Sequence, residues 1–312
     1  MSADGGTRAV IAALLANLGI AVAKFVAFAL TGSSSMLAEA VHSVADSGNQ
    51  GLLLVGNRQA KRAATDEHPF GYGSVRYFYA FVVALVIFAL GSLFALFEGV
   101  TKLLHPHEVE RPIVAVAVLV VALVLEGLSF RTAIVESNRI RGRASWAAFI
   151  RRAKAPELPV VLLEDFGALV GLALALAGVG LTWATGNPIW DGVGTVCIGI
   201  LLGAIAAVLI AETKSLLIGE SADPEVLEKI RTALVGGQVD RMIHLRAVHL
   251  GPEELLVGAK ISLVGRPELA QVAAEIDAAE SRVRQAVPIA RVIYLEPDLF
   301  RAPTVEDREH GG

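Results

Sequence analysis

The sequence predicts an α-helical membrane protein of six spans followed by a small soluble α+β domain, and three observations predict it. Of the 312 residues, 54% are hydrophobic and 19% charged, with a mean hydropathy of +0.59. Soluble domains usually carry about 25% charged residues. Six stretches approach or exceed the roughly 20 apolar residues a helical span needs. The long apolar runs stop near Ile218, and residues 219–312 hold sixteen acidic and eleven basic side chains against fifteen and sixteen before them. That shift divides the chain into a transmembrane domain over 1–218, a soluble domain over 219–300 and a disordered tail over 301–312.

The spans are expected at about 8–31, 34–57, 75–104, 112–136, 157–184 and 188–218. Breakers separate them: Thr31-Gly32-Ser33-Ser34, the run from Glu67 to Gly73, His105-Pro106-His107, and Thr185-Gly186-Asn187-Pro188. Met1–Thr7 has no basic region and no cleavage signature, so the first stretch reads as a retained span rather than a signal peptide. Basic residues orient the set. The second-to-third loop carries Arg58, Lys61, Arg62 and Arg76; the fourth-to-fifth carries Arg131, Arg139, Arg141, Arg143, Arg151, Arg152 and Lys154. The positive-inside rule puts both loops, and with six spans both termini, in the cytoplasm. A bacterial inner membrane is the expected location. Trp183 and Trp190 flank the outer fifth-to-sixth loop, as an aromatic belt would. Gly167/Gly171 and Gly199/Gly203 are small-xxx-small pairs that let helices approach closely. The lone Cys197 excludes an internal disulfide framework and a cysteine zinc knuckle.

In the soluble part, Asp223-Pro224-Glu225 predicts an N-cap and a helix to about Val235, ended by Gly236-Gly237. Met242–Leu250 and Leu255–Val264 predict a hairpin turning at Gly251-Pro252. Pro267–Ala286 has helical spacing of apolar residues, and Val292–Leu295 is a short strand. The order αββαβ implies a two-layer domain of about 80 residues, small enough that dimerisation would help it.

The second span carries the chemistry. Ser35, Glu39, His42, Asp46 and Asn49 follow one another at steps of four, three, four and three, which puts all five on one face. Each ionisable group in a bilayer costs roughly 2.5–3.5 kcal/mol on insertion scales, so such groups mark functional sites. An imidazole and a carboxylate one turn apart form half of a divalent-metal site; the plainer reading is an interhelical hydrogen-bond seam. The fifth span offers Leu162-Leu163-Glu164-Asp165. Adjacent residues diverge by about 100° on a helix, so one of the two carboxylates faces a given ion. Asp165 is the candidate ligand, with Glu164 a further ligand or proton carrier; Asn49 and Glu39 are the other candidates for these roles. Glu98 and Glu126 are further intramembrane acids, suited to structural pairing or to ion access. His68 with Thr65, Asp66 and Glu67 offers a cytoplasmic loop site, against the reading of a solvated turn. His105, His107 and Glu108 suit a surface loop. His244 and His249 have opposite strand parity and do not share a metal.

The stretch Leu30–Asp46 (LTGSSSMLAEAVHSVAD), the loop His68-Pro69-Phe70-Gly71-Tyr72-Gly73, Glu98-Gly99-Val100 and His249–Glu254 together resemble the cation diffusion facilitator family, proton-coupled exporters of zinc-like metals. The resemblance covers nearly the whole chain. It implies a homodimer of six-span subunits with a cytoplasmic ferredoxin-like domain, and a tetrahedral site of two ligands from span two and two from span five. His42 and Asp46 match the first pair and Asp165 the last ligand. The remaining position is Val161, so Glu164, Asn49, water or a shifted helix must complete the set; a subgroup with Leu-Leu-Glu-Asp is similar. Thr65 stands where the loop site often has an acid, and Tyr294 and Glu296 stand where metal-binding members have His and Asp in the tail.

The expected function is export of a divalent transition metal in exchange for protons. Zinc is expected first, with Fe2+, Mn2+, Co2+ and Cd2+ open to an N/O site. Protons compete because ligands bind metal deprotonated, and His42 suits that competition. No prosthetic group, no enzymatic activity and no nucleic-acid partner is expected. A metal sensor or scaffold on the same fold, a channel, and a membrane metalloenzyme are the rival classes. The last would need a motif such as His-Glu-x-x-His, which the sequence lacks.

Overall fold

The computed structural model describes residues 18–301. The start of the first span and the tail beyond Arg301 lie outside them. The chain divides into two compact units: one takes the chain up to Arg62 and Val75–Leu217, the other Ala63–Ser74 and the chain from Ile218.

The first unit is helical. Its elements are α1 (Leu18–Thr31), α2 (Ser34–Ala60), α3 (Val75–Val82), α4 (Ala89–Leu104), α5 (Pro112–Arg141), α6 (Trp146–Arg152), α7 (Glu157–Thr185) and α8 (Ile189–Ile218). A π-helical turn over Val83–Phe88 joins α3 to α4, making one continuous helix from Val75 to Leu104. That helix, α5, α7 and α8 are each long and apolar enough to cross a membrane. Large apolar side chains stand exposed on their outer surfaces, among them Phe97, Ile113, Val121, Leu128 and Ile200. An exposed apolar surface of this extent suits lipid rather than water. α2 is long enough to span but less apolar, because its polar face is turned inward: Glu39, His42, Asp46 and Asn49 are buried.

Local chemistry explains the ends. Ser33 caps α2 by accepting from Met36 N–H at 3.2 Å, and Ser145 caps α6 in the same way through Ala148 N–H. Pro112 opens α5, where its missing N–H costs nothing. Gly186 ends α7 in the left-handed region at φ 67°. Two features depart from the sequence expectation. The fourth-to-fifth loop contains α6, a capped two-turn helix inside the run of arginines, with Arg141 stacked on Trp146 at 4.1 Å. The third span carries the π turn, in an apolar run with no breaker to announce it.

Packing centres on α2, which touches α3, α4 and α7, while α5 runs along α7. Small residues set the closest crossings. A Cβ on Gly99 of α4 would stand 2.7 Å from the Val196 backbone nitrogen of α8, and Gly178 of α7 faces Gly194 of α8. Gly99→Ala is therefore expected to force α4 and α8 apart. The cost should be about 1–3 kcal/mol, read as a lower thermal unfolding midpoint in detergent with the helical content unchanged.

The second unit is the αββαβ domain: α9 (Pro224–Leu234), β1 (Val239–Gly251), β2 (Glu254–Leu263), α10 (Leu269–Ala286) and β3 (Ala290–Pro297). β1 and β2 form the antiparallel hairpin, with Gly251 opposite Glu254. α10 carries the chain across so that β3 lies parallel to β2, giving the order β1-β2-β3. Both helices supply one wall of a core built on Ile230, Leu234, Leu255, Val257, Ile261 and Val283. α10 starts two residues later than the sequence pattern suggested, because Glu268 and Gln271 form a reciprocal capping box. The segment 63–74 belongs to this unit by packing. Gly73 and Gly251 meet backbone to backbone, so that a Cβ on Gly251 would stand 2.8 Å from Gly73 Cα. Only glycine admits that approach. Glu254 lies against the same contact, 3.0 Å from where a Gly73 Cβ would stand, and pairs with Arg291 at 3.1 Å.

Candidate metal centre

The polar face of α2 is met by three other helices. His42 Nδ1 lies 3.6 Å from Asp46 Oδ1, and both residues are buried. The i, i+4 spacing produces this neighbourhood directly. α7, which packs against α2, contributes Glu164 and Asp165, both buried. Asn49 of α2 donates its side-chain N–H to Glu164 Oε2, tying the two helices together at the level of the carboxylates. Asp165 accepts from Ser129 Oγ of α5 at 3.0 Å. Val161, one turn before Asp165, packs with Ala133, Phe149 and Leu162 in an apolar cluster. It offers no donor atom.

The α2 face supplies an imidazole and a carboxylate; of the adjacent α7 carboxylates, Glu164 turns to Asn49 of α2 and Asp165 to Ser129 of α5. Among the described residues no three His, Cys, Asp or Glu side chains already stand in a metal-holding group. Asp165 and Glu164 are each engaged by a neutral donor, Ser129 and Asn49. Neutral partners of that kind orient a carboxylate without cancelling its charge, as outer partners of metal ligands commonly do.

One turn further along α2, Glu39 faces a cation the sequence reading did not single out. Lys24 of α1 is 1% exposed and donates to Glu39 Oε2 at 3.1 Å and to Ser43 Oγ at 2.7 Å. The other Glu39 oxygen lies against Gly171 of α7, where a Cβ would stand 2.5 Å from it. A lysine and a glutamate that both lie in apolar spans could have been paired from the sequence only by knowing how α1 crosses α2.

A second buried network holds the start of α2, and its central residue was also missed. Asp191, in the first turn of α8, is fully buried. Its carboxylate accepts from Ser33 Oγ at 2.8 Å, Ser34 N–H at 2.8 Å and Ser35 N–H at 3.3 Å. It therefore sits at the positive ends of two helices, its own and α2. Lys102, in the last turn of α4, reaches it at 3.9 Å. Ser34 Oγ donates to Glu98 Oε1 at 2.8 Å, which gives Glu98 a structural partner.

The remaining candidates are placed elsewhere. His68 stacks edge-on against Tyr72, at 4.6 Å between ring centroids, inside a turn closed by Gly71 N–H to His68 C=O at 2.9 Å; Asp66 is exposed beside it. His107 meets the Gly32 carbonyl at 3.1 Å. His249 is buried and His244 exposed, in keeping with their opposite parity. Tyr294 is exposed, and Glu296 pairs with Lys260 at 2.9 Å. The two carboxylates Glu296 and Asp298 push the Lys260 pKa up.

Comparison with known proteins gives this geometry its family. Residues 10–218 match the cation efflux transmembrane domain. The chain is 35% identical over 270 residues to the mitochondrial proton-coupled zinc antiporter SLC30A9 of Xenopus laevis, covering 85% of this chain and 48% of that protein. It is 32% identical over 262 residues to metal tolerance protein C4 of Arabidopsis thaliana, covering 83% and 57%. Magnetosome protein MamB of Paramagnetospirillum magneticum is 23% identical over 285 residues, covering 91% and 90%. The chain thus spans about half the length of the first two relatives. With a matched transmembrane domain, apolar spans around a buried polar face and a small αββαβ unit that follows them in sequence, the chain belongs to the cation efflux, or cation diffusion facilitator, family of multi-pass membrane proteins.

Proposed function

We propose that this protein carries a divalent transition metal, zinc first, out of the cytoplasm in exchange for protons. His42, Asp46 and Asp165 are the protein ligands in this reading. Glu164 completes the set or carries a proton, held in place by Asn49. The observation that supports the reading is the buried His42–Asp46 pair on α2, a helix tied by the Asn49–Glu164 hydrogen bond to α7, where Glu164 and Asp165 are buried side by side in sequence. Isolated, so many ionisable groups in a membrane would be strongly unfavourable; a cargo cation offsets them.

The imidazole supplies a nitrogen donor and the carboxylates supply oxygen, a mixture that suits zinc and leaves Fe2+, Mn2+, Co2+ and Cd2+ as competitors. The same groups bind protons when they do not bind metal, so one site serves both ions in turn. A neutral Ser129 and Asn49 keep the α7 carboxylates aimed without adding a competing positive charge. The protein works as a homodimer, and a bacterial inner membrane with both termini cytoplasmic is the proposed setting. The relatives SLC30A9, a proton-coupled zinc antiporter, and metal tolerance protein C4 support this direction.

The test is flux. Purified protein in liposomes loaded with a fluorescent metal indicator should take up Zn2+ when a proton gradient is imposed, and the uptake should saturate and collapse with a protonophore. Uptake that ignores the gradient would sink the antiport reading. Metal binding with no flux at all would favour a sensor.

A further inference from the structure

Lys24 has no part in the ligand set just described, yet it is among the most completely buried side chains of the helical unit. Lys24 is among the residues lining an open apolar groove of about 390 Å³ between α1 and α5, with Ala23, Val118, Val121 and Leu125. Its ammonium ends on α2, at Glu39 and at Ser43 next to His42. Glu39 is 0% exposed, three residues before His42 on the same helix face. Its second oxygen has no hydrogen-bond partner among the described residues and rests where α7 has a glycine. Glu39 is thus a buried carboxylate within one turn of the metal ligands, held away from them by one tethered cation.

We propose that Lys24 is a positioning residue that sets metal selectivity: it holds Glu39 out of the donor set, so that the site keeps a mixed nitrogen–oxygen character. The proposal rests on the transport reading above. Carboxylate-rich sites suit hard, oxygen-preferring ions such as Mn2+, whereas imidazole favours zinc. Without the Lys24 charge, Glu39 has a buried negative charge and no counter-ion, and a cation one turn away is the partner it meets. Removing a positive charge from a low-dielectric site also strengthens its attraction for every cation. Both effects raise manganese affinity, and the first raises it more than zinc affinity.

The experiment uses the full chain in detergent, with Zn2+ and Mn2+ binding measured by calorimetry on wild type, Lys24→Met, Glu39→Gln and the double variant. Lys24→Met should bind Mn2+ about tenfold more tightly, as expected for a buried charge at this range, with a smaller gain for Zn2+, so the preference for zinc over manganese should fall, by less than that factor. Lys24→Arg, which keeps the charge, should keep the wild-type preference. The double variant should return to it, because the carboxylate that joined the site is gone. A damaged fold would weaken binding rather than tighten it, so a gain in affinity separates this role from a structural one. An unchanged metal preference in Lys24→Met, or one that Glu39→Gln does not reverse, overturns the proposal. If Lys24→Met does not fold, Glu39→Gln decides alone: it should leave the preference in place, and a selective loss of zinc binding would make Glu39 a ligand and sink the idea. Wild type that transports while Lys24→Met keeps its preference refutes only this inference; wild type that binds neither ion refutes the transport reading itself.

Discussion

Asp46→Ala and Asp165→Ala should each abolish proton-driven metal flux while leaving a folded protein in the membrane. Each removes one of the proposed ligand carboxylates, Asp46 from α2 and Asp165 from α7. Loss of a group that merely orients a ligand costs roughly 10–100-fold in metal affinity. A ligand should cost at least as much, about a hundredfold or more, measured by zinc titration and by initial flux rates. Asp46 lies beside His42, and Asp165 accepts from a neutral serine hydroxyl. Neither substitution therefore strands a paired cation, and thermal stability should hold or rise. Flux close to wild type in either variant would remove that residue from the site.

Asp191→Ala should instead strike the fold. The carboxylate caps α2 through two backbone amides and the Ser33 hydroxyl, and it is the anion beside Lys102. Removing one partner of a buried charge pair costs about 3–5 kcal/mol, because the other charge stays behind. The amides at the start of α2 lose their acceptor as well. A drop of many degrees in the detergent unfolding midpoint is expected, with Asp191→Asn falling between the two, since an amide oxygen still accepts. The variant pair Asp191→Ala and Lys102→Met should recover part of the loss. A midpoint within a degree or two of wild type would show that this network is dispensable.

The contrast between Asp46 and Asp165 on one side and Asp191 on the other marks what was legible in the sequence. Span lengths, the polar face of α2, the αββαβ order and the hairpin at Gly251-Pro252 follow from periodicity and turn residues, which are local properties. His42, Asp46 and Asp165 were legible because an ionisable group in an apolar run stands out. Lys24 and Asp191 are equally ionisable and equally buried, yet they were passed over. Lys24 lies in the first expected span and Asp191 near the start of the sixth, and the residues around them name no partner. Each acquires meaning only through a partner from a distant element, 15 residues away for Lys24 and 156–158 for Asp191. Helix α6 was hidden for a different reason: its cap, Ser145, sits among arginines whose count serves topology. The β1 and β3 strands begin two or three residues before the β-rich runs. There, ladder pairing extends what side-chain propensity alone marks.

The π turn between Val82 and Ala89 has a consequence for how this protein can change in length. A π turn holds about one residue more than an α turn over the same rise. Its extra residue rotates everything downstream by roughly 100° about the helix axis. In this chain that puts Gly99 and Ser92 toward α8, where Gly99 meets Val196 and Ser92 donates to the Gly199 carbonyl at 2.7 Å. A deletion of one residue within Val83–Phe88 would let the helix relax to plain α geometry. It would also turn the glycine away from its neighbour and bring a bulky side chain into the crossing. The two halves of the span are thus phase-locked. Substitution is tolerated within the turn far more readily than a change in residue count, and the length of that apolar run is itself a structural determinant.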